Sequence, residues 1–290
     1  MSVPASLPLL NINSSITYPN ATAGFVQLIG GGVVVTSVYA RPNAKIFLSY
    51  YSANNPGRLY IAAITPSTNT FTIGSTNPND TSIVCWFIIV EASEQSGSIA
   101  QDTYGYPLLA NSGSAKTYGV ASLFAGTAFV PSTYVNANTP ILLSVQAKST
   151  AGGNPFYYIQ DMVPGSGFNI NSTVPFDNAE IGYWILYPTY SPSTNTNLTI
   201  SCPWFDVNSA SQSYGKGQFS VGGLPVQIAT TRAAFNVIVF SSIMQTNINR
   251  QNISLPYLFG VNEGVSIDIQ TIDSFFNDTS QFAWMMLLST

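Results

Sequence analysis

The chain has 290 residues, of which 7% are charged, with Lys+Arg 8, Asp+Glu 12, no histidine and a formal net charge of −4. Ordinary soluble proteins carry about 25% charged residues, so Asn, Ser, Thr, Tyr and Gly must supply this surface. The lack of clustered Lys and Arg excludes a nucleic-acid clamp, and the lack of histidine excludes His-based triads and His-ligated metals.

In chain order, Met1–Leu10 has neither the basic segment nor the long apolar run of a secretory signal. No window supplies the roughly 18 apolar residues of a membrane span. Gly30-Gly31-Gly32 precedes a strand at Val33–Val35, not a helix, and so is no phosphate loop. Further strands are expected at Ile46–Ser49, Leu59–Ile64, Thr70–Thr76 and Val84–Val90, with a polar connector from Glu91. The pattern returns at Ile141–Ser144, Phe156–Ile159, Gly167–Thr173 and Glu180–Leu186, followed by a second connector from Tyr187. It returns again at Ile238–Ser241, Tyr257–Val261, Val265–Thr271 and Phe282–Leu288. No stretch shows a helical period.

This recurrence is a threefold tandem repeat. Ser37, Tyr39, Asn43, Ile46, Leu48 and Ser49 align without a gap on Ser132, Tyr134, Asn138, Ile141, Leu143 and Ser144, and Trp86, Trp184 and Trp284 recur at nearly equal spacing. The expected organisation is three β-sandwich repeats at 1–92, 103–190 and 201–290, with linkers at 93–102 and 191–200. About 95 residues with several short strands suits a jelly-roll-like sandwich. The fold class is therefore all-β, with the three domains arranged as a pseudo-trimer as the favoured geometry.

The last strand of the first and third copies is apolar on both faces, and that of the second is milder, with Glu180 and Gly182 beside Trp184 and Leu186, whereas a free sandwich wets one face. One face serves the sandwich and the other needs a cover. Val84, Trp86, Ile88, Trp184, Leu186, Trp284, Met286 and Leu288 are the candidate assembly-interface residues. Tyr50, Tyr51, Tyr157 and Tyr158 are the candidate glycan-stacking residues, with half-buried sheet positions as the alternative.

The order Asn43-x-x-Ile-Phe-Leu-Ser49, Leu59-x-Ile61, Phe71-Thr-Ile-x-Ser-Thr76 and Asp80-Thr-Ser-x-Val-x-Trp-x-Ile-Ile89 resembles a small β domain. That domain stands at the C-termini of tail-fibre, tailspike and other structural proteins of phages and large DNA viruses. The resemblance implies a jelly-roll-like fold, trimeric assembly and a place on a virion, made in the host cytoplasm. Expected partners are other virion structural proteins, with a host surface glycan or receptor as a further one, and neither nucleic acid nor a membrane. A carbohydrate-binding module or cell-surface adhesin is the alternative.

No catalytic, cofactor or metal residues are assigned. The Asn-Asp-Thr-Ser clusters at Asn79 and Asn277 each offer one carboxylate, too few for calcium, and read as turns launching a strand. Cys85 sits in an apolar run and Cys202 in a Pro-rich one, with no metal spacing between them. The Asn-X-Ser/Thr triplets are no more than this composition produces by chance.

Overall fold

A computed structural model describes residues 23–42, 44–89, 111–112, 115–137, 139–153, 155–186, 214–219, 225–230, 238–245, 256–271 and 280–287. Short runs rich in Val, Ile, Phe, Tyr and Thr form strands there, and no α-helix occurs among these residues. The first sandwich contains β1 (Ala23–Gln27), β2 (Gly32–Thr36), β3 (Lys45–Ser52), β4 (Leu59–Thr65), β5 (Thr70–Ser75) and β6 (Ile83–Ile89). A small hairpin follows, β7 (Asn111–Ser112) with β8 (Ala115–Lys116). The second sandwich contains β9 (Tyr118–Ser122), β10 (Thr127–Pro131), β11 (Ile141–Ala147), β12 (Tyr157–Val163), β13 (Gly167–Ser172) and β14 (Glu180–Ile185). The third contains β15 (Tyr214–Gln218), β16 (Val226–Ala229), β17 (Ile238–Gln245), β18 (Pro256–Asn262), β19 (Ser266–Thr271) and β20 (Gln281–Leu287).

Each sandwich is two antiparallel three-stranded sheets. The inner sheets run β1-β6-β3, β9-β14-β11 and β15-β20-β17, and the outer sheets run β2-β5-β4, β10-β13-β12 and β16-β19-β18. Every inner sheet carries a bulge at the same place on its third strand, between Tyr50 and Ser52, Val145 and Ala147, and Ile243 and Gln245. These bulges set the true equivalences. Aligned on them, Trp86 stands with Tyr183 and Trp284, while Trp184 stands with Phe87 and Met285. The even spacing of the tryptophans therefore mispairs the second copy by one residue, which in a strand means the opposite face.

Glycines confirm this register. Gly24, Gly119 and Gly215 pair directly with Trp86, Tyr183 and Trp284. A Cβ at Gly24 would stand 3.0 Å from the Trp86 indole, and one at Gly119 2.9 Å from Tyr183 Cζ. In each sandwich a ring lies across a glycine of the neighbouring strand, where an added side chain would crowd it.

The pairing also gives each sandwich two distinct ends. Ala23 and Ile89, Tyr118 and Ile185, and Tyr214 and Leu287 stand at one end, where chain enters and leaves. We call this end the base. The other end, the apex, carries the β1–β2 and β9–β10 hairpins and the loops leading into β4, β6, β12 and β14.

Candidate assembly interface

Inner-sheet side chains of the three sandwiches converge on one buried cluster. It contains Ala23, Phe47, Cys85 and Ile89 from the first, Tyr118, Leu142, Trp184 and Leu186 from the second, and Tyr214, Phe240, Met244, Ala283 and Met285 from the third. Phe47, Leu142 and Phe240 are equivalent positions, as are Ala23, Tyr118 and Tyr214, so the cluster lies on a pseudo-threefold axis. Its centre is aromatic. Trp184 stacks on Phe87 with centroids 5.5 Å apart and planes at 17°, and Phe47 and Phe240 flank this pair at 6.0 and 6.2 Å. Offset ring pairs of this kind add about 0.5–1.5 kcal/mol each beyond the area they bury. Burial pushes the Tyr214 hydroxyl up to about 12 and the Cys85 thiol well above its ordinary range.

Alternation along β6, β14 and β20 divides these side chains between two cores. Val84, Trp86 and Ile88 lie inside the first sandwich, Ile181, Tyr183 and Ile185 inside the second, and Phe282, Trp284 and Met286 inside the third. Of the candidate assembly residues, Trp184 and Leu186 are in the axial cluster. Val84, Trp86, Ile88, Trp284 and Met286 point the other way, and Leu288 is outside the described residues. The axial face of the first sandwich is instead Cys85, Phe87 and Ile89. Both faces are apolar, so hydrophobicity alone carries no information about which one meets a neighbour.

Neighbouring sandwiches also meet in a cyclic order: β4 packs on β11, β12 on β17, and β18 on β3. Each of those outer strands presents a tyrosine at the same register, Tyr60, Tyr158 and Tyr257. Tyr158 is buried in the core of the third sandwich, and Tyr257 packs against the core of the first. Lys148 of the second sandwich places its ammonium 5.5 Å from the Tyr60 ring. Arg58 sits 3.4 Å over Phe156 and donates to the Pro155 carbonyl at 2.6 Å, and both of these contacts cross from the first sandwich to the second.

Polar atoms complete the seams. β3, β11 and β17 are edge strands of the inner sheets, and an unpaired edge exposes backbone groups that need partners. The Gln146 amide supplies them on β3, accepting from Ile46 N at 3.1 Å and donating to Ile46 O at 2.6 Å. Ser242 does the same on β11, accepting from Leu143 N and donating to Ile141 O, both at 3.1 Å. On β17, the Cys85 thiol lies against the Val239 backbone. The edges of β3 and β11 are thus capped by a side chain of another sandwich.

Between the sandwiches, toward the apex, lies a cavity of about 90 Å³ lined by Ser49, Ser144 and Ser242 with Arg58, Phe156 and Pro256. Ser49, Ser144 and Ser242 occupy equivalent positions. The space holds about three waters at ~30 Å³ each and is well below the ~300 Å³ of small-molecule pockets.

Of the tyrosines singled out for glycan stacking, Tyr50 and Tyr158 are buried and Tyr51 and Tyr157 are half-buried sheet residues. Tyr50 is 2% exposed and donates to Asp80 Oδ2 at 2.8 Å. Tyr51 packs edge-on against Phe25 at 4.8 Å, and Tyr158 is 3% exposed. Asp80 and Asp177 are themselves fully buried anchors of the apical turns. Asp80 accepts from Ser82 N at 2.9 Å and Gly57 N at 3.0 Å; Asp177 accepts from Ala179 N at 2.9 Å and Ser172 Oγ at 2.6 Å. Burial would raise the Asp80 carboxyl, but hydrogen bonds from Ser82, Ser75 and Gly57 outweigh it and hold the group below the usual carboxylate range. These oxygens face protein donors, as a strand-launching turn requires. The equivalent Asn277–Thr279 segment, Cys202 and both linkers are outside the described residues.

With this geometry in hand, comparison with known families is decisive. The C-terminal domain of K1 capsule-specific polysaccharide lyase matches residues 20–89 and again 111–186, together half of the chain. The chain belongs to this family. The two matches cover the first two sandwiches strand for strand, and the third sandwich repeats their strand order. Neither a curated protein nor a solved structure matches the chain. No helix among the described residues is long and apolar enough to cross a membrane.

Proposed function

We propose that this chain is a virion structural component, associated with a tail fibre or tailspike, in which one polypeptide fills the three positions of a trimer of the family domain. The observation that carries the reading is the cyclic packing of three sandwiches of one topology around a shared apolar axis. Fusion makes association intramolecular, at high effective concentration, and frees each copy to diverge. The third sandwich is then a diverged copy of the domain matched in the other two. On this reading the module works by assembly, with its two buried apical aspartates holding turns and its axis filled by hydrocarbon. Its partners are other virion proteins, joined at the base where the chain enters and leaves.

Light scattering on the purified chain tests the geometry. A compact 31.0 kDa monomer is expected, and a stable species of three times that mass overturns it. Mass spectrometry of purified particles from the source virus tests the location, and absence of the chain refutes it.

A further inference from the structure

Large side chains are exposed at the apex where folding gains nothing from them. Phe176 is 77% exposed and holds a positive φ of 69°. A bulky residue in this left-handed region is a genuine outlier, with a cost of roughly 1–2 kcal/mol. Phe124 is 84% exposed and precedes Ala125, itself at φ 51°, in the β9–β10 hairpin. The Gly126 N–H donates to the Asp177 carbonyl at 3.0 Å, tying the hairpin to the Phe176 turn. The first sandwich has the same scaffold without the strain, with Gly30 in place of Ala125 and Asn79 in place of Phe176. Burial offsets neither strain nor exposure in the second sandwich, so the rings call for a partner outside the fold.

The surroundings specify its chemistry. The turn that carries Phe176 is neutral and polar: Asn178, two residues on, bonds the Thr150 hydroxyl at 2.7 Å. Among the described apical residues Asp80 and Asp177 are buried, and Arg58 and Lys148 lie over rings of the neighbouring sandwich. Glu180, at the start of β14, is the exposed acid there. Among the described apical residues no cationic cluster awaits an acidic polymer.

We propose that the apex of the second sandwich, centred on Phe124 and Phe176, is a recognition surface for uncharged glycans. The rings take the C–H faces of sugars, and the flanking amides and hydroxyls take their hydroxyl groups. The proposal rests on the reading of the chain as a module mounted through its base, which leaves the apex distal.

The test is a binding array of neutral bacterial polysaccharides beside sulfated and sialylated ones, probed with the full chain and with Phe124→Ser/Phe176→Ser. Both side chains are exposed, so thermal unfolding of the double variant should match the parent. Retention of one or more neutral glycans, weakened at least tenfold in the double variant, is expected. No glycan binding by the parent at millimolar sugar, equal binding by the variant, or preference for the anionic polymers overturns the proposal. Self-association of the parent that the double variant loses assigns the patch to protein contact and also overturns it. A monomeric mass in every case leaves the structural reading standing, so the two can fail separately.

Discussion

The first and second sandwiches share strand order, bulge position, the glycine-facing ring and a buried apical aspartate, yet they fill equivalent places differently. At the axis the first contributes Phe87 where the second contributes Trp184. A tyrosine hydroxyl, Tyr50 on β3, donates to the buried acid at 2.8 Å in the first, and the Ser172 hydroxyl on β13 donates to it at 2.6 Å in the second. At the hairpin tip one uses Gly30-Gly31 and the other Ala125-Gly126 for the same pair of left-handed residues. The difference shows which parts of the domain are constrained. Features that close a single sandwich recur in kind, whereas those facing the axis or the apex are free to differ, because fusion gives each copy its own neighbours.

The largest expected effect tests the axis. Trp184→Ala should lower unfolding free energy by about 3–5 kcal/mol in a urea titration, because the ring is 1% exposed and packs on Phe47 and Phe87 within the axial cluster. Trp184→Phe should cost far less, since the indole N–H has no hydrogen-bond partner to lose. Equal losses in the two variants would deny the axial stack its role.

Next comes the buried acid. Asp80→Ala leaves the Gly57 and Ser82 N–H groups without their acceptor and the Tyr50 hydroxyl with the Gly57 carbonyl alone, and should cost about 2–4 kcal/mol. The folded carboxyl lies below its ordinary value, so its stabilisation is complete above the unfolded pKa of about 3.9 and is lost as pH falls through the folded value. Denaturant midpoints at pH 7 and pH 3 should therefore differ more for the parent than for Asp80→Asn. A pH dependence unchanged by that substitution would remove Asp80 as its source.

A smaller loss is expected at the glycines that face rings. Gly24→Ala and Gly119→Ala should each cost about 1–3 kcal/mol by overpacking against Trp86 and Tyr183. Thermal shifts in both would affirm the bulge-based register. A neutral outcome at Gly119 would mean that the Tyr183 ring swings aside.

The smallest effects are opposite in sign at the two hairpins. Ala125→Gly should raise stability, and Gly30→Ala lower it, each by about 1 kcal/mol, since both residues sit at positive φ. Paired melting curves of the two variants measure this directly. The same sign in both would show that the hairpins are not equivalent.

The sequence by itself determined the all-β class, the recurring strands and the resemblance to a fibre-type β domain. Period-two patterning, turn residues and repeated short motifs are local properties that survive without coordinates. It also showed that the final strands need cover on two faces, because Val84–Ile89 has no polar side to give to water. What it left undecided is which face looks where. Trp86 and Phe87 are adjacent and both apolar, and only the bulge after Tyr50 and the ring-facing Gly24 put the first in its own core and the second on the axis. The tyrosines illustrate the same limit, since exposure belongs to the neighbourhood and not to the residue. Tyr158 lies in the next sandwich's core, while Phe124 and Phe176, in composition ordinary core residues, stand in solvent. Face, register and exposure are set by contacts between segments distant in the chain, which only the tertiary structure brings together.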